Sequence, residues 1–157
     1  MRGGADRARL PAVVRQPRSA LPSPALYHVT TRGVNRYRIF IDDFDYADFR
    51  RLFLRVCVAE GWICHAYCLM PNHVHAIIDT QLERLSFGMH RVLGIHAQRF
   101  NQRHKRIGHV YQERFHTKLI RDDEHLGNAC AYVFDNPVRA GLCAKPEDWP
   151  WSGSVGI

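Results

Sequence analysis

The chain has 157 residues, 46% of them hydrophobic and 24% charged, and it carries a formal net charge of +7. This size and composition are typical of one globular domain, and no apolar run approaches the roughly 20 residues that cross a bilayer, which excludes a membrane span. The excess of positive charge favours a polyanionic partner, and five cysteines without a disulfide-like spacing favour a reducing compartment, so we expect a cytoplasmic protein.

Residues 1–24 are rich in arginine and proline and lack a periodic apolar face. Such a segment buries too little apolar surface to order itself, so it is predicted to be a flexible basic arm. The patterned sequence begins at residue 25, and we therefore predict a single domain over residues 25–157.

The first half of that domain is predicted to contain three strands and one helix. The helix is introduced by Asp45, has apolar residues three and four positions apart, and ends near Gly61. The strands, the last two of which form a hairpin around a Pro71-Asn72 turn, cover residues 26–31, 62–70 and 73–80. A second helix is predicted over residues 86–104, with Phe87, Leu93 and Phe100 among its apolar positions, and a fourth strand over residues 110–120.

A third helix follows, capped by Asp122 or Asp123. It is expected to stop by Asn136, because Pro137 lacks a backbone donor and disfavours a helical residue before it. The order is then β-α-β-β-α-β with one extra helix. The predicted fold class is α+β: a ferredoxin-like βαββαβ antiparallel sheet with helices on one face, plus an additional C-terminal helix that carries a tyrosine.

Two histidines, His73 and His75, stand at the start of the second hairpin strand, separated by one apolar residue. Side chains alternate along a strand, so both imidazoles share one face and form a metal clamp. Among ten histidines such a pair is unsurprising by chance, so the motif alone is weak. The nearby Cys64 and Cys68 lack the ligand spacing of a structural zinc site, and buried thiols in a strand are the favoured interpretation.

One side of the third helix carries polar side chains of catalytic and metal-binding types. Tyr132 lies about 120° from the centre of the apolar stripe, and Asn136 follows it by four residues, with His125 as a candidate accessory residue in the same row. A tyrosine hydroxyl becomes a nucleophile when a cation stabilises its oxyanion, and the Asn136 amide oxygen is a candidate metal ligand. The alternative is that Tyr132 flanks the core and Asn136 only terminates the helix. The stripe predicted to pack on the sheet comprises Leu126, Ala129, Cys130 and Val133.

Positive charge is concentrated between residues 84 and 121, where nine basic residues accompany a single acidic residue, Glu113. Such a block favours contact with nucleic-acid phosphates, and an ordinary solvated basic face is the alternative. Tyr37 and Tyr111 are candidates for stacking on exposed bases. The predicted DNA contacts are Arg84, Arg91, Arg99, Arg103, Lys105, Arg106, Arg114, Lys118 and Arg121.

Five motifs in a fixed order give the sequence a family resemblance. They are YHVTTRG at residues 27–33, LMPNHVH at 69–75, GHVYQERF at 108–115, the stretch from Tyr132 through NPVRAGL at 136–142, and WPWS at 149–152. In this combination the chain resembles the single-tyrosine HUH transposases, and most of all the REP-associated tyrosine transposase branch, in which asparagine follows tyrosine by four residues. One departure is Asp135, which places an acid beside the proposed ligand.

The resemblance implies a metal-dependent endonuclease and strand transferase that acts on single-stranded DNA, often next to a hairpin. It assigns His73 and His75 to a Mg²⁺ or Mn²⁺ ion, with Asn136 as the third ligand. It assigns Tyr132 to attack on the scissile phosphate, which forms a 5′-phosphotyrosine link. It leaves open whether tyrosine and histidines come from one subunit, as in a monomer, or are exchanged across a homodimer.

Three other classes of protein are compared with the sequence, and two of them do not fit it. A HIT-type nucleotide hydrolase requires a third alternate histidine where this chain has Ile77. A metal-dependent amidohydrolase barrel typically needs about 250 residues, which is more than this chain provides. A non-catalytic DNA-binding regulator derived from a transposase stays open as the principal alternative.

Overall fold

The computed structural model describes residues 23–156, so the predicted basic arm, apart from its last two residues, lies outside the described part. The predicted order βαββαβ followed by a helix is confirmed. Short 3₁₀ turns lie at Val34–Arg36 and Pro146–Asp148. The main elements are β1 (Ala25–Arg32), α1 (Asp43–Glu60), β2 (Ile63–Met70), β3 (His73–Thr80), α2 (Leu82–His104), β4 (His116–Ile120), α3 (Asp123–Arg139) and β5 (Ser152–Val155).

The five strands form one antiparallel sheet in the order β4-β1-β3-β2-β5, which confirms the α+β class. β3 is therefore central and is paired on both sides, with His73 opposite Arg32 of β1 and opposite Met70 of β2. β5 lies outside the predicted elements, because its sequence SGSV lacks the apolar alternation by which a strand is recognised.

Alternate strand residues enter two separate cores, one on each face of the sheet. α1 and α2 cover one face, where Val74 and Ile78 of β3 are buried. α3 covers the other face, where Ile77 of β3 packs with Val133 of α3. Residues two apart on a strand point the same way, so the two histidines that precede Ile77 lie on the α3 side.

A capping carboxylate determines where α1 begins. Asp42 accepts a hydrogen bond from the Asp45 backbone N–H at 3.2 Å, so α1 begins at Asp43, two residues before the predicted start. Asp45 is instead buried in the first turn, where its carboxylate lies 2.7 Å from Arg103. The helix ends at Glu60, as predicted near Gly61, and Gly61 caps it in the left-handed conformation with φ 65°.

α2 differs from its prediction at both its start and its apolar face. It begins at Leu82, four residues early, where the Ser23 hydroxyl accepts a hydrogen bond from the Leu82 backbone N–H at 2.9 Å. Leu93 and Phe100 are buried as predicted, whereas Phe87 is 59% exposed. Phe87 therefore does not belong to the core, since hydrophobic character alone does not say which side of a helix meets the sheet.

The predicted strand over residues 110–120 is shorter in the structure. β4 covers only His116–Ile120, and Tyr111 makes an isolated bridge to Gly33. Between them the chain bends away from the ladder and is anchored by the buried Phe115. The alternation of residue types that predicted the longer strand continues through this bend, but the hydrogen bonds to a neighbouring strand do not.

α3 runs to Arg139, past the predicted stop at Asn136, with Pro137 inside its last turn. Proline removes one backbone donor, but the following N–H groups still find helical acceptors, as Ala140 donates to the Asn136 carbonyl at 3.0 Å. Pro137 is also buried, so its ring adds apolar contact. The cost of the proline is thus confined to the end of the helix, and the prediction of an earlier stop was wrong.

The cysteines are free thiols, and Cys64 and Cys68 are buried in β2 as predicted. Burial raises the pKa of Cys68 to about 12, so its thiolate, the form that binds metal, is disfavoured. Within residues 23–156 no helix has the length and apolar character needed to cross a membrane.

Candidate active site

The predicted histidine pair lies on the α3 face of the sheet. The rings of His73 and His75 have centroids 4.9 Å apart and planes 87° apart, as expected for residues two positions apart on β3. His75 is 8% exposed, and its Nδ1 atom lies 3.0 Å from Nε2 of His28 on the neighbouring β1. The pair therefore shares one face, together with a third imidazole.

Asn72 connects His73 to the loop after β1. Its Oδ1 atom lies 2.7 Å from His73 Nδ1, and its Nδ2 group donates to the Arg36 carbonyl at 3.1 Å. That loop is tight, because Asn35 and Arg36 adopt left-handed backbone conformations with φ of 51° and 60°. A Cβ atom at Gly33 would overlap the carbonyl oxygen of the residue four positions later. The first histidine of the pair is thus held by a closely packed turn.

Helix α3 brings the predicted tyrosine to the histidines. Ala129 and Val133 are buried against the sheet, so Tyr132 stands on the side of the helix and is 41% exposed, as the helical angle predicts. The centroid of the Tyr132 ring lies 5.7 Å from that of His75 and 6.2 Å from that of His28. One chain therefore brings the tyrosine and the histidines together.

The Asn136 carboxamide lies between Tyr132 and His73. Its Nδ2 group donates to the Tyr132 carbonyl at 2.9 Å, and its side chain also hydrogen-bonds the His73 ring. The neighbouring Asp135 is engaged elsewhere, because the Arg139 Nε donates to it at 3.3 Å. The Arg139 guanidinium carbon lies 5.4 Å from the centre of the Tyr132 ring. The positive charge of Arg139 therefore lies beside the Tyr132 ring.

Burial keeps the imidazoles of this cluster neutral. It lowers the pKa of His73 to about 4, with a further contribution from the Arg32 charge, and it lowers the pKa of His28 to about 4. Burial and then the two neighbouring histidines lower the pKa of His75 to about 3. A neutral imidazole carries the lone pair that a metal ion needs, so no proton has to be displaced at neutral pH.

Two cavities meet at the histidines. One of about 330 Å³ lies on the His73 side, and one of about 430 Å³ lies on the Tyr132 side and includes His125 in its lining. His75 and His116 line both. The site is therefore open to a ligand on either side of His75.

The donor set suits a divalent ion. Neutral imidazoles at His73 and His75 and the amide of Asn136, which come from two elements, would hold such an ion, and the ion would supply Lewis-acid chemistry to a bound phosphate. Within residues 23–156 no cluster of three or more His, Cys, Asp or Glu side chains is placed to hold an ion. The Asn136 amide, a donor of a different type, lies beside His73.

A family comparison identifies the chain. The family model described as "Transposase IS200 like" matches residues 23–136, a span that contains the histidine pair, the tyrosine and the asparagine. The chain belongs to this transposase family. Tyrosine transposases of the family are generally metal-dependent.

Individual relatives agree with this assignment. The transposase is 29% identical over 139 residues to a Haemophilus influenzae protein assigned as a REP-associated tyrosine transposase, and the match covers 81% of this chain and 78% of the relative. Its fold is similar to that of a REP-associated tyrosine transposase bound to a REP hairpin, with a TM-score of 0.63, 20% identity, and coverage of 82% of this chain and 76% of that one. A Deinococcus radiodurans protein assigned as a transposase is also similar, with a TM-score of 0.50, 14% identity, and coverage of 74% and 93%.

These findings confirm the predicted family and enzyme class. The chain is a transposase of the tyrosine HUH type, and two of the three relatives named above are described as REP-associated tyrosine transposases. The ion, the nucleophile and the DNA target are separate questions, which depend on the residues of the site.

The basic residues predicted to bind DNA fall into two groups in this transposase. In the group near the site, Arg114 and Lys118 line the two cavities, and Arg121 is exposed directly after β4. At the C-terminal end of α2, Lys105 is exposed, and the Arg106 guanidinium lies 6.0 Å from the ring centre of an exposed tyrosine in the loop after β1. Lys105, Arg106 and Arg114 lie near the end of the sheet where the histidines stand, Lys118 lies opposite His28 in the middle of β1, and Arg121 follows β4 at the other end of the sheet.

The second group lies along α2, on the other face of the sheet. Arg99 and Arg103 form ion pairs at 2.7 to 3.1 Å with aspartates of α1 and its cap. Arg84 donates to a backbone carbonyl at the end of α1, and Arg91 lies over an aromatic ring. These cations are engaged with neighbouring groups of the protein.

Sequence patterns do not identify the outer residues of the site. His28 faces His75 because β1 and β3 pair in one register, with Thr30 directly opposite His75. Asn72 and Arg139 likewise depend on contacts between elements. The only signal in the sequence was the place of these residues inside the family motifs.

Proposed function

We propose that this transposase is a metal-dependent single-stranded DNA endonuclease and strand transferase that forms a 5′-phosphotyrosine intermediate at hairpin-flanked sites. The observation that carries the proposal is the position of the Tyr132 ring beside His75, with centroids 5.7 Å apart in one chain. Because a single chain supplies every proposed residue, a monomer is sufficient for the chemistry, and a homodimer is not required.

Tyr132 is proposed as the nucleophile. Its phenolic oxygen attacks the scissile phosphorus and forms a new P–O bond, while the bond from phosphorus to the 3′-oxygen breaks. The phenolic proton passes to water, and the departing 3′-oxygen takes up a proton to become a hydroxyl, so that atoms and charge balance. The phosphotyrosine link keeps the free energy of the broken bond, so attack by a 3′-hydroxyl rejoins DNA without ATP.

His73, His75 and Asn136 are proposed to hold the ion, Mg²⁺ or Mn²⁺. When bound, the ion would withdraw negative charge from the scissile phosphate and the attacking oxygen. The chain orients the nucleophile, since Val133 anchors α3 in the core. The guanidinium of Arg139 offsets negative charge that develops beside the Tyr132 ring.

The DNA backbone is proposed to pass the cavities on both sides of His75. Arg114 and Lys118 supply cations there, Arg121 adds positive charge beyond the far end of β4, and the solved relative that binds a REP hairpin supports a hairpin partner. Lys105 and Arg106 extend this surface toward the loop after β1. The four arginines along α2 contribute long-range attraction only, because the internal contacts described above already engage them.

Base stacking is proposed for one of the two candidate aromatics. Tyr37 is 58% exposed and lies beside Arg106, an arrangement that suits a splayed-out base. Tyr111 packs against the core and its hydroxyl lies 2.6 Å from His96 Nδ1, so its ring is not free to stack.

The test is a covalent adduct on a denaturing gel. Labelled hairpin oligonucleotides with randomised single-stranded flanks, incubated with protein and Mn²⁺, should give a protein–DNA band that EDTA prevents. Tyr132→Phe should abolish the band and retain DNA binding in a gel shift, because the phenyl ring keeps the packing of the tyrosine. Tyr67→Phe, which alters a buried tyrosine of β2 in the core on the other face of the sheet, should keep the adduct.

Two results would contradict the proposal. An adduct that survives Tyr132→Phe would place the nucleophile elsewhere in the chain. Hairpin binding by the wild-type protein without any adduct, in Mn²⁺ or in Mg²⁺, would favour the alternative function of a non-catalytic DNA-binding regulator.

A further inference from the structure

Each proposed metal-binding histidine has its Nδ1 atom engaged by another side chain. Nδ1 of His73 lies 2.7 Å from Asn72 Oδ1, and Nδ1 of His75 lies 3.0 Å from His28 Nε2. A neutral imidazole carries one proton and one lone pair on its two nitrogens. The partner of Nδ1 therefore decides whether Nε2 is free to bind a metal ion.

The Asn72 carboxamide has a defined orientation. Arg36 presents a backbone carbonyl, which can only accept, so the Nδ2 amino group must face Arg36, at 3.1 Å. The Oδ1 atom then faces His73 and can itself only accept. A ring proton on Nδ1 of His73 satisfies this acceptor and leaves the lone pair of Nε2 for an ion, in competition with the Asn136 side chain, which also hydrogen-bonds the ring.

His28 has the matching position for His75. Two ring nitrogens 3.0 Å apart share one hydrogen, which lies either on His75 Nδ1 or on His28 Nε2. Only the first arrangement leaves a lone pair on Nε2 of His75. Because His75 is 8% exposed, bulk water does not replace His28 as the partner of its Nδ1 atom.

We propose that Asn72 and His28 are positioning residues that hold the ring protons of His73 and His75 on Nδ1, so that both Nε2 lone pairs are available before an ion arrives. The inference rests on the proposed function of the pair as metal ligands. Ligands with the correct tautomer already in place need no exchange of protons on binding. Loss of such outer partners typically weakens metal affinity 10- to 100-fold.

Four variants separate the hydrogen-bond acceptor from the bulk of the side chain. Asn72→Asp and His28→Gln keep an oxygen that accepts from Nδ1–H, whereas Asn72→Leu and His28→Phe keep much of the volume and remove the acceptor. Mn²⁺ binding to the full chain is measured by electron paramagnetic resonance of the free ion. We expect about 10- to 100-fold weaker binding in the two variants without an acceptor and near wild-type binding in the other two.

A second measurement needs neither a variant nor a metal. Long-range ¹H–¹⁵N spectra of the metal-free wild-type protein at neutral pH distinguish the two imidazole tautomers by their ring-nitrogen shifts. We expect the Nδ1–H form for His28, His73 and His75. The Nε2–H form at His73 or His75 would overturn the inference, and so would equal Mn²⁺ affinity in all four variants when thermal unfolding shows that they are folded.

The inference and the proposed function fail in different ways. If the wild-type protein binds no Mn²⁺ and forms no adduct while the ring protons lie on Nδ1, the metal-dependent function is refuted and the placement of the protons stands. If the wild-type protein binds Mn²⁺ and forms the adduct, but removal of the acceptors changes neither, only the positioning role is refuted.

Discussion

A buried histidine outside the site makes folding sensitive to acid. His96 of α2 is 2% exposed, and its ring lies 5.1 Å from the ring of Phe49 and 5.6 Å from that of Phe100. Its Nδ1 atom lies 2.6 Å from the Tyr111 hydroxyl, and its Nε2 atom is buried without a hydrogen-bond partner in the described part of the chain. Burial lowers the pKa of His96 from 6.5 to about 4.

The sign of the effect follows from the lowered pKa. Between pH 6.5 and pH 4 the unfolded chain binds a proton at His96 that the folded chain does not bind, so stability must rise with pH in this window. The contribution is fully present above pH 6.5 and is lost as the pH falls toward 4. Between about pH 7.5 and about pH 4.5, the free energy of unfolding therefore falls by roughly 2 to 3 kcal/mol because of His96.

The assay is urea unfolding of the wild-type protein and of His96→Gln at a series of pH values. Glutamine keeps an oxygen that accepts from the Tyr111 hydroxyl and removes the titration, so the acid-dependent loss of stability should shrink by roughly 2 to 3 kcal/mol. His109→Gln, which replaces an exposed histidine, is the matched control and should keep the wild-type slope. The quantity compared is the slope of unfolding free energy against pH. The free energy at one pH is not compared, because the substitution also changes packing. An unchanged slope in His96→Gln would refute the argument.

Two further predictions concern the DNA surface and the helix that carries the tyrosine. Lys118→Ala should weaken hairpin binding and reduce the slope of log affinity against log salt concentration by about one. Arg99→Ala, whose cation is paired with Asp48, should leave that slope unchanged and weaken binding much less. Fluorescence anisotropy at several salt concentrations tests this, and equal effects of the two variants would contradict it. Val133→Ala removes two methyl groups from a fully buried site, so it should lower the free energy of unfolding in urea by about 2 kcal/mol. It should also slow adduct formation by Tyr132. Unchanged stability would mean that this contact does not anchor α3.

The parts of the site that could be predicted from sequence are properties of single elements. His73 and His75 share a face because a strand has a period of two, and this holds whatever its neighbours are. The exposure of Tyr132 follows from its angle to the stripe that includes Val133. Both inferences require only the type of element, which the local pattern of apolar residues indicates.

The parts that could not be predicted depend on contacts between elements. His28 reaches His75 through the register of two strands that are 47 residues apart at this contact. A local rule ends α3 before Pro137, but burial of the proline ring in the assembled fold opposes that rule. Composition predicts a basic surface, but it does not reveal that Arg99 and Arg103 are paired with aspartates across a helix interface.

The two histidine ligands and the nucleophile are held by different numbers of contacts. His73 and His75 lie on β3, which is paired on both sides with neighbouring strands. Tyr132 lies on a helix that covers one face of the sheet through a narrow stripe including Val133, and Pro137 removes a backbone donor one turn later. In the proposed reaction the ion must keep its position between cleavage and rejoining, while the residue linked to DNA must follow the strand. The restraint is therefore greatest at the two histidine ligands and smaller on the helix, which carries the nucleophile and the third proposed ligand, Asn136.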